Sequence, residues 1–258
     1  MLIRAPRLAP GIPNDYYRAI YEVEQQHFWY RGMREIAAAL LGERLARPGL
    51  RIFDAGCGTG GFLRWALDQS PGATAAGVDV GAAAIELAHK RVPEADLRTA
   101  ALRELPFAAA SFDLVVTNDV LQHVAEEDVG RSLAELRRVL APAGTLLART
   151  NGSRTLRRER NDWRAYDRAT LVQQLAGAGF EVERCTYANT LLSLWGTLRG
   201  RTLHAPSESR DGLPRRVPSP AVSAIGSRIL SAEARWLARP GHTLPYGYTL
   251  FALARRAT

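Results

Sequence analysis

The sequence predicts an α/β chain built on a doubly wound, mostly parallel sheet of seven strands, with a helical lid ahead of it and a helical insertion before the last strand. Three observations predict this. Apolar runs of strand length alternate with segments of helical spacing from Arg51 to Thr150, the rhythm of repeated strand–helix–strand units. A glycine-rich stretch, RIFDAGCGTGGF, joins the first strand to the helix after it, where such sheets bring bare backbone up to a ligand. An acid, Asp79, closes the second strand 25 residues past Asp54, the place from which a carboxylate reaches a ribose diol.

At 258 residues and 47% apolar composition, one large domain over 1–258 with a full core is expected. No apolar run approaches the ~18–20 residues of a membrane span. The first residues, MLIRAPRLAPGIP, hold no apolar stretch of signal type. Cys57 and Cys185 make no disulfide framework. These features point to the cytoplasm. The net charge of +8 suggests nucleic acid, but Lys90 is the one lysine among 34 basic residues. So strong a skew to arginine points to genome composition, and nucleic acid is not the expected partner. The arginines from Arg154 to Arg168 read as a solvated face.

Taken in order, 13–46 is the lid: two helices broken near Arg31-Gly32, with His27-Phe28-Trp29-Tyr30 between them. Four such rings in a row exceed what one helix face buries. Residues 47–150 are the ligand-binding core. It holds a strand at 51–55, a helix at 60–69, a strand ending near Asp79, a helix from Gly81 to Arg91, a short strand at 96–99 and the central strand FDLVVT at 112–117. Val129, Leu133, Leu136, Val139 and Leu140 give 128–140 helical spacing; Pro142-Ala143-Gly144 ends it, and 145–150 is a strand. A helix at 169–178 and the strand FEVERCTY follow. The insertion, 187–245, combines an apolar run to Leu198, a Pro/Ser/Arg-rich loop at 200–220 and an amphipathic helix at 221–238. That helix is expected to pack through Val222, Ile225, Ile229, Trp236 and Leu237. Tyr248–Ala254 is the last strand.

Gly56-x-Gly58-x-x-Gly61 fits the dinucleotide fingerprint, and the flanks must decide what it binds. Asp54, two residues before the first glycine, opposes a pyrophosphate and suits a ligand with a positive group such as an α-amino group. The pattern D-x-G-x-G-x-G resembles the first motif of the class I S-adenosylmethionine-dependent methyltransferases. Leu105-Pro106-Phe107 with Ser111-Phe112-Asp113, and the run LAELRRVLAPAGTLL, closely resemble the same family. Asn118–Val124, NDVLQHV, is similar to the E-x-L-E-H-V segment of quinone-type O-methyltransferases. HFWYRGM resembles the HFWYRGR-like lid segment of small-molecule members, and GYTLFALARR more weakly their last strand.

The resemblance implies a Rossmann-like methyltransferase fold. It implies transfer of a methyl group from S-adenosylmethionine, leaving S-adenosylhomocysteine, to a small-molecule acceptor, by O- or N-methylation in secondary or cell-envelope metabolism. The cofactor would lie on Asp54, Ala55, Gly56, Cys57, Gly58, Gly60 and Phe62, with Asp79 and Val80 at the ribose. Ala101 and Leu102 stand where the adenine is cradled, without the acid often found there. Asn118, Asp119, Val120 and His123 would line the methionine part. In the lid, Met33 stands where an arginine is usual, between Arg31 and Arg34; Trp29 and Arg34 are the lid's assigned contacts. No metal is implied.

His123 is the candidate general base for a protonated acceptor, with Asp119, His27 and Tyr30 behind it; a structural histidine is the other reading. Cys57 is rejected as a nucleophile because no base adjoins it in sequence. The acceptor is expected to meet the lid, 151–168 and the insertion. It would be acidic and held by arginines, or lipid-like or aromatic and shielded by the 221–238 helix, which could otherwise touch a membrane surface. Three alternatives stand beside this. Asp54 and the LPF and SFD segments fit an NAD-dependent dehydrogenase poorly. A nucleic-acid methyltransferase would end the central strand in [DN]PP[YF], where this chain has TNDV. A non-catalytic S-adenosylmethionine-binding subunit would carry the same first motif.

Overall fold

The apolar runs expected as strands lie side by side in one sheet. The computed structural model describes residues 14–152, 164, 166–198 and 216–257. Its strands are β1 (Arg51–Ala55), β2 (Thr74–Asp79), β3 (Asp96–Thr99), β4 (Phe112–Asn118), β5 (Leu140–Asn151), β6 (Phe180–Ala188) and β7 (Thr249–Arg256). Their order across the sheet is β3-β2-β1-β4-β5-β7-β6. The first five pair in parallel, while β7 runs antiparallel between β5 and β6. The helices are α1 (Asn14–Val23), α2 (Phe28–Leu41), α3 (Gly61–Gln69), α4 (Ala82–Arg91), α5 (Glu126–Val139), α6 (Arg168–Gly177), α7 (Thr190–Leu198) and α8 (Pro220–Leu237).

Because side chains alternate across a strand, neighbours in β1 feed two different cores. Ile52 packs with Met33, Leu63, Ala88 and Leu230 on the face carrying α1–α4 and α8. Phe53 packs with Val115, Leu133, Leu136 and Leu171 on the face carrying α5 and α6. Both are fully buried, and burying a side chain of this size stabilises by roughly 1.5–3 kcal/mol.

Three expectations are corrected. The lid helices part at Glu24–His27 and not at Arg31-Gly32. Gly32 sits inside α2 because α8 crosses it there: a Cβ at Gly32 would stand 2.4 Å from Leu230 Cδ1. The true break is set by His27, whose Nδ1 accepts the Trp29 N–H at 3.1 Å and caps α2. Strand β5 begins at Leu140, opposite Phe112, and passes through Pro142-Ala143-Gly144 with a register shift. Helix α8 packs through the expected Leu237 and, partly, Ile229, but it also buries Gly226, Leu230, Glu233 and Ala234, while the expected Val222, Ile225 and Trp236 face outward. Two apolar stripes run along this helix, and the one made of smaller residues is the one that lets α2 approach. Most of the arginine-rich stretch 154–168, and the loop 200–220 up to residue 215, lie outside the described residues.

Candidate functional site

Strands β1, β2 and β4 run parallel and end at one edge of the sheet, where the glycine turn, Asp79 and Asn118 lie. After Ala55 the chain turns through left-handed backbone at Gly56, Gly58 and Gly60, with φ of 88°, 52° and 79°. The Gly56 and Cys57 N–H groups both donate to Val78 O at 2.8 Å, locking the turn onto β2. A Cβ at Gly56 would overlap Val120, so this glycine is what lets the segment after β4 close over the turn. Gly58 has open space where a Cβ would be, so bare backbone faces the edge. Gly60 instead backs onto Ala88 of α4, and the Phe62 ring lies tilted against Trp65 on α3. The Cys57 thiol is buried, which pushes its pKa well above the ordinary thiol value, with Asp54 and Asp79 adding to the rise.

Two carboxylates differ sharply in their company. Asp79 accepts from Gly81 N at 2.8 Å, Gly58 N at 3.0 Å and the Tyr17 hydroxyl at 3.3 Å. Asp54 is 2% exposed, and its Oδ1 has no hydrogen-bond partner among the described residues. Burial raises the Asp54 pKa well above the carboxylate range, Arg149 pulls it down and Asp79 pushes it further up. The Oδ1 and Nδ2 of Asn118, at the end of β4, are likewise buried without partners. Such groups are costly unless something completes them.

Arg149, on β5 opposite Asn118, was not legible in sequence. Its guanidinium holds Asp119 Oδ2 at 2.7 and 3.1 Å, and the pair is nearly buried. That ion pair, with the Asp119 N–H donating to Arg149 O at 2.9 Å, fixes Asp119 in left-handed backbone, φ 58°. The same guanidinium lies 5.3 Å from the centre of the Trp29 ring. Arg34 is the lid arginine that turns inward: it is 8% exposed and bonds Glu24 O at 3.2 Å, whereas Arg31 is exposed. Burial, and then the Arg149 charge, lower the Arg34 pKa to about 10. Arg34 has no carboxylate partner among the described residues.

The lid is stitched to this edge by polar contacts that sequence patterns did not disclose. Glu24 meets the Thr59 hydroxyl and the Arg91 guanidinium, and Arg91 also caps Tyr21 O and stacks over the Tyr21 ring. His123 ends a short 3-10 turn, Leu121–His123, and is exposed. Its neighbour Gln122 is buried and accepts from Thr150 Oγ1 and Asn151 N. Arg164 braces the turn through Gln122 O, Val124 O and Glu126. Of the other base candidates, His27 spends Nδ1 on the helix cap, and burial lowers its pKa to about 4. Tyr30 is buried. Val80 is 62% exposed beside Asp79, Leu102 is in the core and Ala101 is half-buried.

The edge thus offers an acid without a partner, an amide without partners, a bare glycine and two buried guanidiniums. That set fits a ligand carrying ammonium and carboxylate together with hydroxyls, as S-adenosylmethionine does. Among the described residues no cluster of His, Cys, Asp and Glu has the makings of a metal site.

A family profile described as a methyltransferase domain matches residues 53–148. The chain is 30% identical over 182 residues to a protein of Mycolicibacterium smegmatis named a probable S-adenosylmethionine-dependent methyltransferase, covering 68% of each. It is 34% identical over 134 residues to the malonyl-[acyl-carrier protein] O-methyltransferase of Enterobacter lignolyticus, so that likeness spans about half, 52%, of either chain. The geranyl diphosphate C-methyltransferase of Streptomyces coelicolor, solved with S-adenosylhomocysteine, matches the fold with a TM-score of 0.59 at 16% identity. That match covers 96% of this chain and 86% of the other.

Proposed function

Because the chain belongs to the S-adenosylmethionine-dependent methyltransferases, we propose that it methylates a small-molecule acceptor on oxygen or nitrogen, with 47–150 holding the cofactor and the 13–46 lid and 187–245 insertion facing the acceptor. The observation that carries the site assignment is the unpartnered Oδ1 of buried Asp54 beside unpartnered Asn118. The cofactor supplies an electrophilic methyl group on a sulfonium, open to in-line displacement. We assign Asp54 to its ammonium, Arg34 with Arg149 to its carboxylate, and Asp79 to its ribose. Val80, Ala101 and Leu102 border the adenine, while Asn118, Asp119 and Val120 border the methionine chain. Trp29 and its neighbours in α2 exclude water.

Alignment of this kind supplies on the order of 7–11 kcal/mol of a barrier. A base is needed only for an acceptor protonated at neutral pH, and His123, exposed at the rim, is the assigned group. Asp79→Ala is expected to weaken S-adenosylhomocysteine binding about tenfold or more in titration calorimetry, with His123→Ala near wild type. An unchanged affinity in Asp79→Ala removes the ribose assignment. For the acceptor, cofactor carrying a deuterated methyl group is offered to a cell extract. The label is expected in small molecules. Label in nucleic acid or protein, or in no fraction, overturns the proposed acceptor class.

A further inference from the structure

Helix α8 carries a second face that stays largely open to solvent, although Trp236 leans on the His242 ring, with centroids 4.3 Å apart. Its packed side meets α2, where Gly226 admits Phe28 and Leu230 covers Gly32. Turned away from that contact stand Val222, Ile225 and Trp236, 47%, 56% and 44% exposed. At about 100° per residue, these three fall within a stripe about 60° wide, with Ile229 inside it but partly buried against the core. Arg228, Arg235 and Arg239 form the stripe beside it, all exposed and none in an ion pair among the described residues. Between Pro220 and Arg239 the one acid is Glu233, and it is turned inward onto the Asn189 and Leu191 N–H groups at 2.7 and 3.1 Å. Every charge this helix shows to water is therefore positive. The Glu233 contact also brings α7 alongside α8, and Leu191, Leu194 and Trp195 on α7 are 53%, 44% and 41% exposed.

Single exposed apolar residues need no explanation, but a row ending in tryptophan beside a stripe of three arginines does, although the exposed Glu35 of α2 meets the same helix at Ser231. A second copy of the chain is a poor occupant. A two-fold contact sets the same patch against itself, and the arginine rows would meet with no exposed α8 carboxylate between them. An anionic lipid surface satisfies both stripes at once, since apolar side chains enter the acyl boundary while arginines lie among phosphates. No helix among the described residues is long and apolar enough to cross a membrane, so the contact is peripheral.

We propose that α8 docks the protein on anionic lipid bilayers, with Val222, Ile225 and Trp236 inserted and Arg228, Arg235 and Arg239 in the headgroup layer. This goes beyond the proposed methylation, and either can fail alone. The test is flotation of the full chain with vesicles of phosphatidylcholine, with and without phosphatidylglycerol, at low and high salt. Binding to the anionic vesicles that weakens with salt is expected. Two double variants, Arg228→Glu with Arg235→Glu and Ile225→Ser with Trp236→Ser, are each expected to bind roughly tenfold less or worse. All four positions are exposed, and unchanged circular dichroism and S-adenosylhomocysteine affinity verify the fold. Absence of wild-type binding, or variants that bind as wild type does, overturns the proposal. So does a dimer in sedimentation that the serine variant dissolves while no vesicles are bound.

Discussion

Asp79 accepts three hydrogen bonds, from Gly81, Gly58 and Tyr17, and the Val80 N–H adds to them. A carboxylate has about four lone-pair sites, so a ribose hydroxyl has to take a place already filled. The backbone donors are fixed by the turn, and the Tyr17 hydroxyl is the one that can leave. Tyr17→Phe is therefore expected to tighten S-adenosylhomocysteine binding several-fold, since one net hydrogen bond is worth about 0.5–1.5 kcal/mol. Weaker binding in calorimetry would mean that Tyr17 supports the ligand and does not compete with it. His27 gives a second expectation. Its pKa falls from 6.5 to about 4 on burial, so the folded protein needs the neutral ring. That contribution is whole above about pH 6.5 and lost as pH falls toward about 4, a swing of about 3 kcal/mol. The raised carboxylates Asp54 and Glu233 act in the opposite sense, so the comparison must be made against a variant. His27→Asn keeps a cap acceptor, and the urea stability gap between it and wild type should shift in the variant's favour from neutral pH to about pH 4. A constant gap would refute the assignment to His27.

Between elements, the α2–α8 crossing rests on two glycines. A Cβ at Gly226 would stand 2.4 Å from Phe28 Cε2. Gly226→Val should destabilise by about 1–3 kcal/mol or more, as overpacking does. Gly130, in the exposed middle of α5, has open space around its Cβ position. Gly130→Ala should stabilise by about 0.5–1 kcal/mol. Denaturant midpoints that move together would contradict this account of the two positions. The same crossing explains a limit of sequence reading. Periodicity picked Val222, Ile225, Ile229, Trp236 and Leu237 as the packed face of α8; Leu237 is buried and Ile229 packs against the core, but Val222, Ile225 and Trp236 face outward. Large side chains were the natural choice, but close approach of helices favours glycine and alanine.

For the whole sheet, the strands and their doubly wound, mostly parallel arrangement were legible because local patterns mark them: apolar runs, helical spacing and glycine turns. The chain runs outward from β1 through β2 to β3, then returns to β4 on the other side. Ligands bind at such a reversal, and Asp54, Asp79 and Asn118 were readable because they end the strands that meet there. Arg149, Tyr17 and Arg164 were not. Each acts through a partner 30 to 62 positions away, or through several carbonyls at once, and no local pattern encodes such pairings. The placing of β7 carries a consequence of another kind. It sits between β5 and β6, pairing Thr145 with Arg255 across more than a hundred residues. During synthesis, β5 and β6 emerge from the ribosome long before the strand that joins them. Until then each offers open backbone to any neighbouring chain, and pairing over such distances is slow. The nascent protein passes through an aggregation-prone interval that ends with its final strand, and it should depend on chaperones for that interval more than its stability would suggest.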